Sequence, residues 1–249
     1  MQKTAKVRDV RIVQKKSYEN SFLLTLSIQD KLNARPGQYV FIYCENLTIR
    51  RAFSIADLTD DCLTIFFKKR GLGTEFLSKL RPGDVVNLIG PLGQGFSLNR
   101  EKSLLIGAGA GVAPVFFAKN FLKKQGVESL LVGGFNTKNE IPDELKLDKY
   151  TTIDGSCGFK GNVLEYFTEI IKEYQPSVIY ACGPTVVLKT VAEWGLKYKI
   201  RTELAMEKEM ACGVGVCRGC VIKIKKNEEI INATVCKDGP VFRGEEVVW

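Results

Sequence analysis

Histidine is absent from all 249 residues of this chain. That absence excludes a Ser-His-Asp triad, a histidine general base and any histidine-rich metal site. Chemistry must then come from bound cofactors. Long apolar runs are missing as well. No stretch approaches the roughly 18 apolar residues that mark a membrane-spanning helix, so no membrane span is expected. The opening MQKTAKVRDV has no apolar segment behind its charges; no signal peptide and a cytoplasmic location are therefore expected. Nor is there a basic stripe interleaved with aromatics. The formal charge is +8, but 36 basic and 28 acidic residues are intermixed. This argues against a nucleic-acid partner, and anionic cofactors would offset part of the surplus.

Against these absences stand eight cysteines. Cys212, Cys217, Cys220 and Cys236 are spaced C-x4-C-x2-C-x15-C, and the first three follow the plant-type [2Fe–2S] spacing. Thiolates this close in sequence reach one inorganic core only if the backbone curls tightly. Gly213, Gly215 and Gly219 supply positive φ and close approach of N–H groups to sulfur. Such a cluster moves electrons singly, which makes the chain a redox conduit. Structural zinc also accepts four cysteines, but zinc sites more often pair two C-x2-C knuckles and this chain has one. A disulfide framework suits a small secreted scaffold better than a chain of this length. The other cysteines, Cys44, Cys62, Cys157 and Cys182, read as buried free thiols.

Residues 1–98 read as a β-rich unit. Strands are expected over Val7–Gln14, Phe22–Ile28, Tyr39–Cys44, Leu63–Lys69 and Val85–Ile89, with a short helix at Thr74–Leu80. Turn residues such as Arg35-Pro36-Gly37 and Arg81-Pro82-Gly83-Asp84 divide them, which suits a small antiparallel barrel. Residues 99–206 alternate apolar strands with amphipathic segments. Strands are expected at Leu104–Ile106, Leu130–Gly133, Thr151–Ile153 and Val178–Ala181, and helices near Val112–Lys124, Asn162–Glu173 and Thr185–Leu196. This alternation predicts a parallel sheet. Residues 207–249 form the cysteine segment, with Val221–Lys225 and Glu229–Val235 as a hairpin. The fold class is thus β plus α/β with a C-terminal metal segment.

Three motifs outside the cysteines suit dinucleotides. Leu104–Pro114 reads strand, glycine turn, helix. Gly107, Gly109 and Gly111 let backbone N–H groups approach a pyrophosphate at a helix start; a tight strand–helix turn is the plainer alternative. Cys182-Gly183-Pro184 ends another strand, where ligands bind in open α/β sheets, and reads equally as a turn. Arg51-Ala52-Phe53-Ser54, expected at the end of a strand, offers a guanidinium for phosphate, a ring for stacking and a hydroxyl. Gly73 and Thr74, in Gly71-Leu72-Gly73-Thr74 before the short helix, could hold a second phosphate, or Thr74 could simply cap that helix.

Taken in order, R-x-F-S, G-x-G-T, GAGAGVAP, CGP and the cysteine loop resemble the ferredoxin–NADP⁺ reductase superfamily. The run Glu209–Cys220 with Val235–Phe242 is similar to the electron-transfer subunits of class 1B dihydroorotate dehydrogenases. The resemblance implies an FAD-binding barrel, an NAD-binding α/β domain and a [2Fe–2S] segment. It gives Arg51, Ala52, Phe53, Ser54, Phe66, Phe67, Lys68, Gly73 and Thr74 to FAD. It gives Gly107, Gly109, Gly111, Cys182, Gly183 and Pro184 to NAD, and Cys212, Cys217, Cys220 and Cys236 to the cluster. No residue is assigned a catalytic role. It further implies a separate FMN-containing subunit that oxidises dihydroorotate, in a heterotetramer of two copies of each chain, serving pyrimidine biosynthesis. Subunits of sulfide dehydrogenases and of NADH-dependent ferredoxin–NADP⁺ oxidoreductases share the architecture, and form the alternative. In those the first ligand can be aspartate, whereas here it is Cys212.

Overall fold

The structure is a computed structural model and describes residues 6–249. Its first part runs β1 (Lys6–Tyr18), β2 (Ser21–Ser27), β3 (Tyr39–Ile42), β4 (Arg51–Leu58), β5 (Cys62–Lys68), α1 (Leu72–Lys79) and β6 (Val85–Leu92). The strands close into a barrel in the order β1-β2-β5-β4-β3-β6, with every neighbouring pair antiparallel. Side chains alternate between the two faces of a strand. Leu24, Leu26, Val40, Ile42, Leu63, Ile65 and Leu88 therefore fill the barrel, joined by Leu77 from α1. Arg51 opens β4 rather than ending a strand. β3 already stops at Ile42, and a turn in which Leu47 N–H bonds the Cys44 carbonyl separates the two.

The second part runs β7 (Ser103–Ala108), α2 (Val112–Lys124), β8 (Ser129–Phe135), β9 (Lys149–Thr152), β10 (Phe159–Lys160), α3 (Val163–Tyr174), β11 (Val178–Cys182), α4 (Thr185–Tyr198) and β12 (Arg201–Ala205). Its strands pair in parallel in the order β10-β9-β8-β7-β11-β12. β7 and β11 are apolar along almost their whole length because both faces of a central parallel strand are covered. α3 has a single apolar stripe, Val163, Tyr166, Phe167, Ile170 and Ile171. Its start is fixed by Asn162, whose side chain accepts from Leu164 and Glu165 N–H at 2.9 and 3.1 Å. α2 is apolar on nearly every side, since it is wedged between the sheet strands β7 and β8 and the barrel strand β4.

The last part holds β13 (Val221–Lys226), β14 (Glu229–Thr234), β15 (Val241–Arg243) and β16 (Val247–Val248). β14, β13 and β16 make a small sheet of their own, while β15 joins the large sheet antiparallel to β12. The large sheet is therefore not wholly parallel as expected. The chain returns from the cysteine segment directly along the free edge of β12, and a parallel addition needs a longer crossover. Ile222, Ile224, Val235, Cys220 and Cys236 share one core with α3, α4 and the barrel residues Tyr39 and Phe41. Of the four spare thiols, Cys44 and Cys182 are buried as expected, whereas Cys62 and Cys157 are only half-buried.

The barrel and sheet are also tied by polar contacts. Lys68 on β5 pairs with the buried Glu140, which accepts from Asn136 N–H and Nδ2, both at 3.1 Å. On the connection after β6, Ser97 N–H donates to the buried Glu203 at 2.7 Å, and Tyr180 donates to the Ser97 carbonyl at 3.1 Å.

Candidate functional site: a cleft beside a four-cysteine loop

The cysteine loop precedes β13. Gly213 and Gly215 have φ of +70° and +80°, as the loop requires; the third left-handed residue is Arg218, at +56°, not Gly219. A Cβ on Gly213 would collide with Phe41 Cε2, so only glycine lets the loop settle against the barrel. The curl aims N–H groups at sulfur. Val214 and Cys217 donate to Cys212 Sγ at 3.5 and 3.4 Å, and Gly219 to Cys217 Sγ at 3.5 Å. Gly215 donates to Cys236 Sγ at 3.2 Å, and Cys236 N–H to Cys220 Sγ at 3.4 Å.

Two thiols carry opposite perturbations. The N–H groups of Cys217 and Val214 hold Cys212 down to about 6. Burial and the neighbouring Cys220 push Cys236 up. A bound metal would override both, because a coordinating thiol is deprotonated outright. The thiols stand together in pairs, Cys212 with Cys217 and Cys220 with Cys236. Among the described residues no group of three or more His, Cys, Asp or Glu side chains is gathered closely enough to hold a single ion. Four thiols beneath N–H donors are a donor set that suits a two-iron core.

Beside the loop lies a cleft of about 260 Å³. Its barrel wall contains Ala52, Phe53, Ser54, Phe66, Phe67, Lys68 and Thr74, and its sheet wall Ala110, Gly111 and Pro184. β4 and β5 are barrel neighbours, which puts the R-x-F-S residues next to Phe66–Lys68. Phe53 and Phe67 meet with centroids 5.4 Å apart. Arg51 does not line the cleft. Its guanidinium donates to the Ile49 carbonyl, and its stem crosses the start of α1, where a Cβ on Gly73 would lie 2.6 Å from Arg51 Cγ. The Thr74 hydroxyl accepts from Arg70 and Gly71 N–H at 2.8 and 3.1 Å. It therefore shapes the helix start, and the N–H groups of Leu72, Gly73 and Thr74 remain for an anion.

A second cleft of about 190 Å³ lies at the C-terminal edge of the sheet, lined by Gly109, Gly134–Asn136, Glu140, Asn162 and Pro184 among others. Gly107, Cys182 and Gly183 line neither cleft. They allow the two strand ends to pack: a Cβ on Gly111 would collide with the Cys182 carbonyl oxygen, and one on Gly183 would lie 2.9 Å from Ala108 Cβ. The glycine turn and the C-G-P turn thus abut, because Gly107 and Cys182 are paired across β7 and β11.

Sequence reasoning missed Tyr39, Arg70, Met206, Glu207, Lys208, Met210 and Pro240 in the large cleft. Arg70 stands two residues beyond Lys68, and 206–210 immediately precede the cysteines, so both were near a recognised motif. Tyr39 carried no such signal. Glu207 is exposed at the cleft, yet the protein packed around it raises its carboxyl above the usual range, with Arg70 pulling it back.

Comparison with known proteins agrees with this geometry. Residues 207–248 match the iron–sulfur cluster binding domain of dihydroorotate dehydrogenase B. The chain is 35% identical over 224 residues to the electron transfer subunit of dihydroorotate dehydrogenase B (NAD(+)) of Caldanaerobacter subterraneus subsp. tengcongensis, covering 86% of this chain and 87% of that one. It is 35% identical over 246 residues to that of Clostridium acetobutylicum, covering 94% and 96%. A solved NADH-dependent reduced ferredoxin–NADP oxidoreductase chain superposes with a TM-score of 0.86 at 28% identity, over 100% of this chain and 92% of that one. A ferredoxin–NADP⁺ reductase from Neisseria gonorrhoeae shares the fold, with a TM-score of 0.66 at 18% identity over 78% and 92%. With sequence agreement of this extent and a loop built for a two-iron core, the chain belongs to the family of electron transfer subunits of NAD⁺-dependent dihydroorotate dehydrogenase B.

Proposed function

We propose that this chain conducts electrons from the FMN of a dihydroorotate-oxidising partner subunit to NAD⁺, through a [2Fe–2S] cluster and FAD. The observation that carries the reading is the adjacency of the paired thiols and the large cleft, which meet at Tyr39: it lines the cleft and its hydroxyl donates to the Cys236 carbonyl. When bound, the cluster would carry single electrons, and the flavin would take up two of them with a proton and supply a hydride to NAD⁺. The chain's own residues hold and orient. Cys212, Cys217, Cys220 and Cys236 bind iron, and the N–H groups aimed at their sulfurs offset the cluster's negative charge. Phe53, Ser54, Phe66, Phe67, Lys68 and Ala52 seat the flavin. Arg51 turns from the Ile49 carbonyl to a flavin phosphate at the start of α1, beside Gly73 and Thr74. Gly109, Gly111 and Pro184 shape the nicotinamide nucleotide site, with Gly107, Cys182 and Gly183 setting the backbone behind it. In this reading residues 1–98, 99–206 and 207–249 are the flavin, nucleotide and cluster units.

The partner docks on the cluster side, where Val214 and Val216 are 56% and 78% exposed, and two copies of each chain make the complex. No helix among the described residues is long and apolar enough to cross a membrane. A reducing cytoplasm suits the free thiols. Dihydroorotate oxidation needs a positioned base, and this chain, without histidine, leaves that step to the partner.

The test is an assay of the purified chain alone and then with an FMN-containing dihydroorotate dehydrogenase subunit. Alone it passes electrons from NADH to an artificial acceptor and leaves dihydroorotate untouched; dihydroorotate–NAD⁺ activity appears with the partner. Dihydroorotate turnover by the chain alone overturns the reading. The likeness to the NADH-dependent ferredoxin–NADP oxidoreductase chain supports a second reading, the same conduit serving a sulfide dehydrogenase or a ferredoxin-linked complex. Identification of the co-purifying subunit separates the two.

A further inference from the structure

The cleft and the cysteine segment meet at one buried side chain. Tyr39 on β3 is 2% exposed and lines the large cleft. Its hydroxyl donates to the Cys236 carbonyl at 3.0 Å. That peptide belongs to a residue of the buried thiol pair, whose own N–H points at Cys220 Sγ at 3.4 Å. The hydroxyl thus holds the backbone from which the inner pair is built.

The ring is held as firmly. Tyr39 and Phe41 are two apart on one strand and so share a face. Their centroids are 5.6 Å apart at 65°, an edge-to-face contact, and Phe41 is the ring against which Gly213 of the cysteine loop settles. On another side Gly93 leaves room that a Cβ would close, at 2.9 Å from Tyr39 Cε1 and 2.6 Å from Pro240 Cδ. Packing alone would be served by phenylalanine. A hydroxyl placed in such a site costs free energy unless it is bonded, so the bond to Cys236 specifies where the segment sits.

We infer that Tyr39 is a positioning residue for electron exchange between flavin and cluster. Its ring is the wall shared by the cleft and the inner thiol pair, and its hydrogen bond fixes the separation of the two. The inference rests on the flavin and cluster assignments above. Electron exchange weakens steeply with distance, so loosening the Cys236 peptide slows it. Removing a donor beside a ligand also alters the local field that sets the cluster's potential.

The experiment compares the holoprotein with Tyr39→Phe, Tyr39→Leu and, as a control on the same side of the chain but 45% exposed, Tyr43→Phe. Iron and flavin contents are measured first. The EPR spectrum and midpoint potential of the reduced cluster follow, and then the rate at which electrons equilibrate between flavin and cluster after rapid reduction by NADH. Tyr39→Phe keeps the ring and is expected to retain both cofactors. It shifts the cluster potential and spectrum, and slows equilibration measurably relative to the parent. Tyr39→Leu slows it further and releases flavin more readily, while Tyr43→Phe matches the parent. Tyr39→Phe with full cofactors and unchanged spectrum, potential and rate overturns the inference, whether or not Tyr39→Leu folds. Tyr39→Phe that loses its iron also overturns it, because Tyr39 is then a structural support. A parent protein without iron or flavin instead overturns the proposed function.

Discussion

The two halves of the cysteine site occupy different surroundings. Cys220 and Cys236 are each 1% exposed, inside a core that contains Tyr39 and Phe41. Cys212 is half-buried and Cys217 exposed, with the exposed Val214 and Val216 between them. Yet Cys217 and Cys220 are separated by two residues only. The difference arises because Cys220 leads directly into β13, whose Ile222 and Ile224 are drawn into the core, whereas the glycine-rich turn before it has no apolar stripe to bury. One site therefore has a sealed side facing the barrel and an open side facing outward, as a conduit between two centres requires.

The comparison breaks most visibly under serine substitution. Cys220→Ser and Cys236→Ser should remove the iron and also lower the stability of the apoprotein, because both positions are buried and a hydroxyl is costlier than a thiol to take out of water. Cys212→Ser and Cys217→Ser should remove the iron with apoprotein Tm unchanged, and Cys62→Ser should leave iron intact. Iron assay and thermal melts decide it; equal melts for inner and outer variants would show that the two halves do not differ.

The next effect concerns the flavin side. Arg51→Ala should weaken FAD retention by about one to two decades, the loss of a charge-assisted hydrogen bond of about 1.5–3 kcal/mol, with less effect on iron. Gly73→Ala should act in the same direction and more weakly, since its Cβ would meet only the flexible stem of Arg51. Flavin occupancy on dilution reads both, and undiminished occupancy in Arg51→Ala removes that residue from the site.

On the open side, Val216→Asp should weaken partner binding by about tenfold, because an apolar side chain at the interface is replaced by a charge that must be desolvated there. Val7→Asp, at a barrel position 61% exposed, should not. Titration of the complex by calorimetry distinguishes them, and equal affinities would place the partner elsewhere.

The smallest expected effect lies at Glu140, between barrel and sheet. Burial opposes its charge, but Lys68 and the two Asn136 donors outweigh it and hold its pKa below the usual value. An acid depressed in the fold stabilises above its unfolded pKa and loses that contribution as pH falls through the folded one. The parent should therefore lose more Tm than Glu140→Gln on moving from neutral pH to below about 4. Identical Tm differences between the two proteins at both pH values would show that the charge contributes nothing.

Much of this protein was legible before folding. The proposed cluster ligands rest on spacing, because Cys212, Cys217 and Cys220 lie within one loop of nine residues, and local geometry decides what they can reach. α2 begins and ends where its periodicity placed it, and α3 starts at the Asn162 that caps it. The strand carrying Arg51 was misplaced by a turn without strong Gly or Pro punctuation, and β15 was not foreseen, because three residues at a sheet edge carry no pattern of their own.

What the sequence determined by itself was therefore the chemistry: no histidine, four thiols in register, and glycine turns after apolar strands. What only the tertiary structure decided was adjacency. Tyr39 and Cys236 are 197 positions apart, and nothing local to either residue records the other. They meet because the barrel closes, α2 wedges it against the sheet, and the C-terminal chain returns along β12, burying apolar surface that no single segment could bury alone.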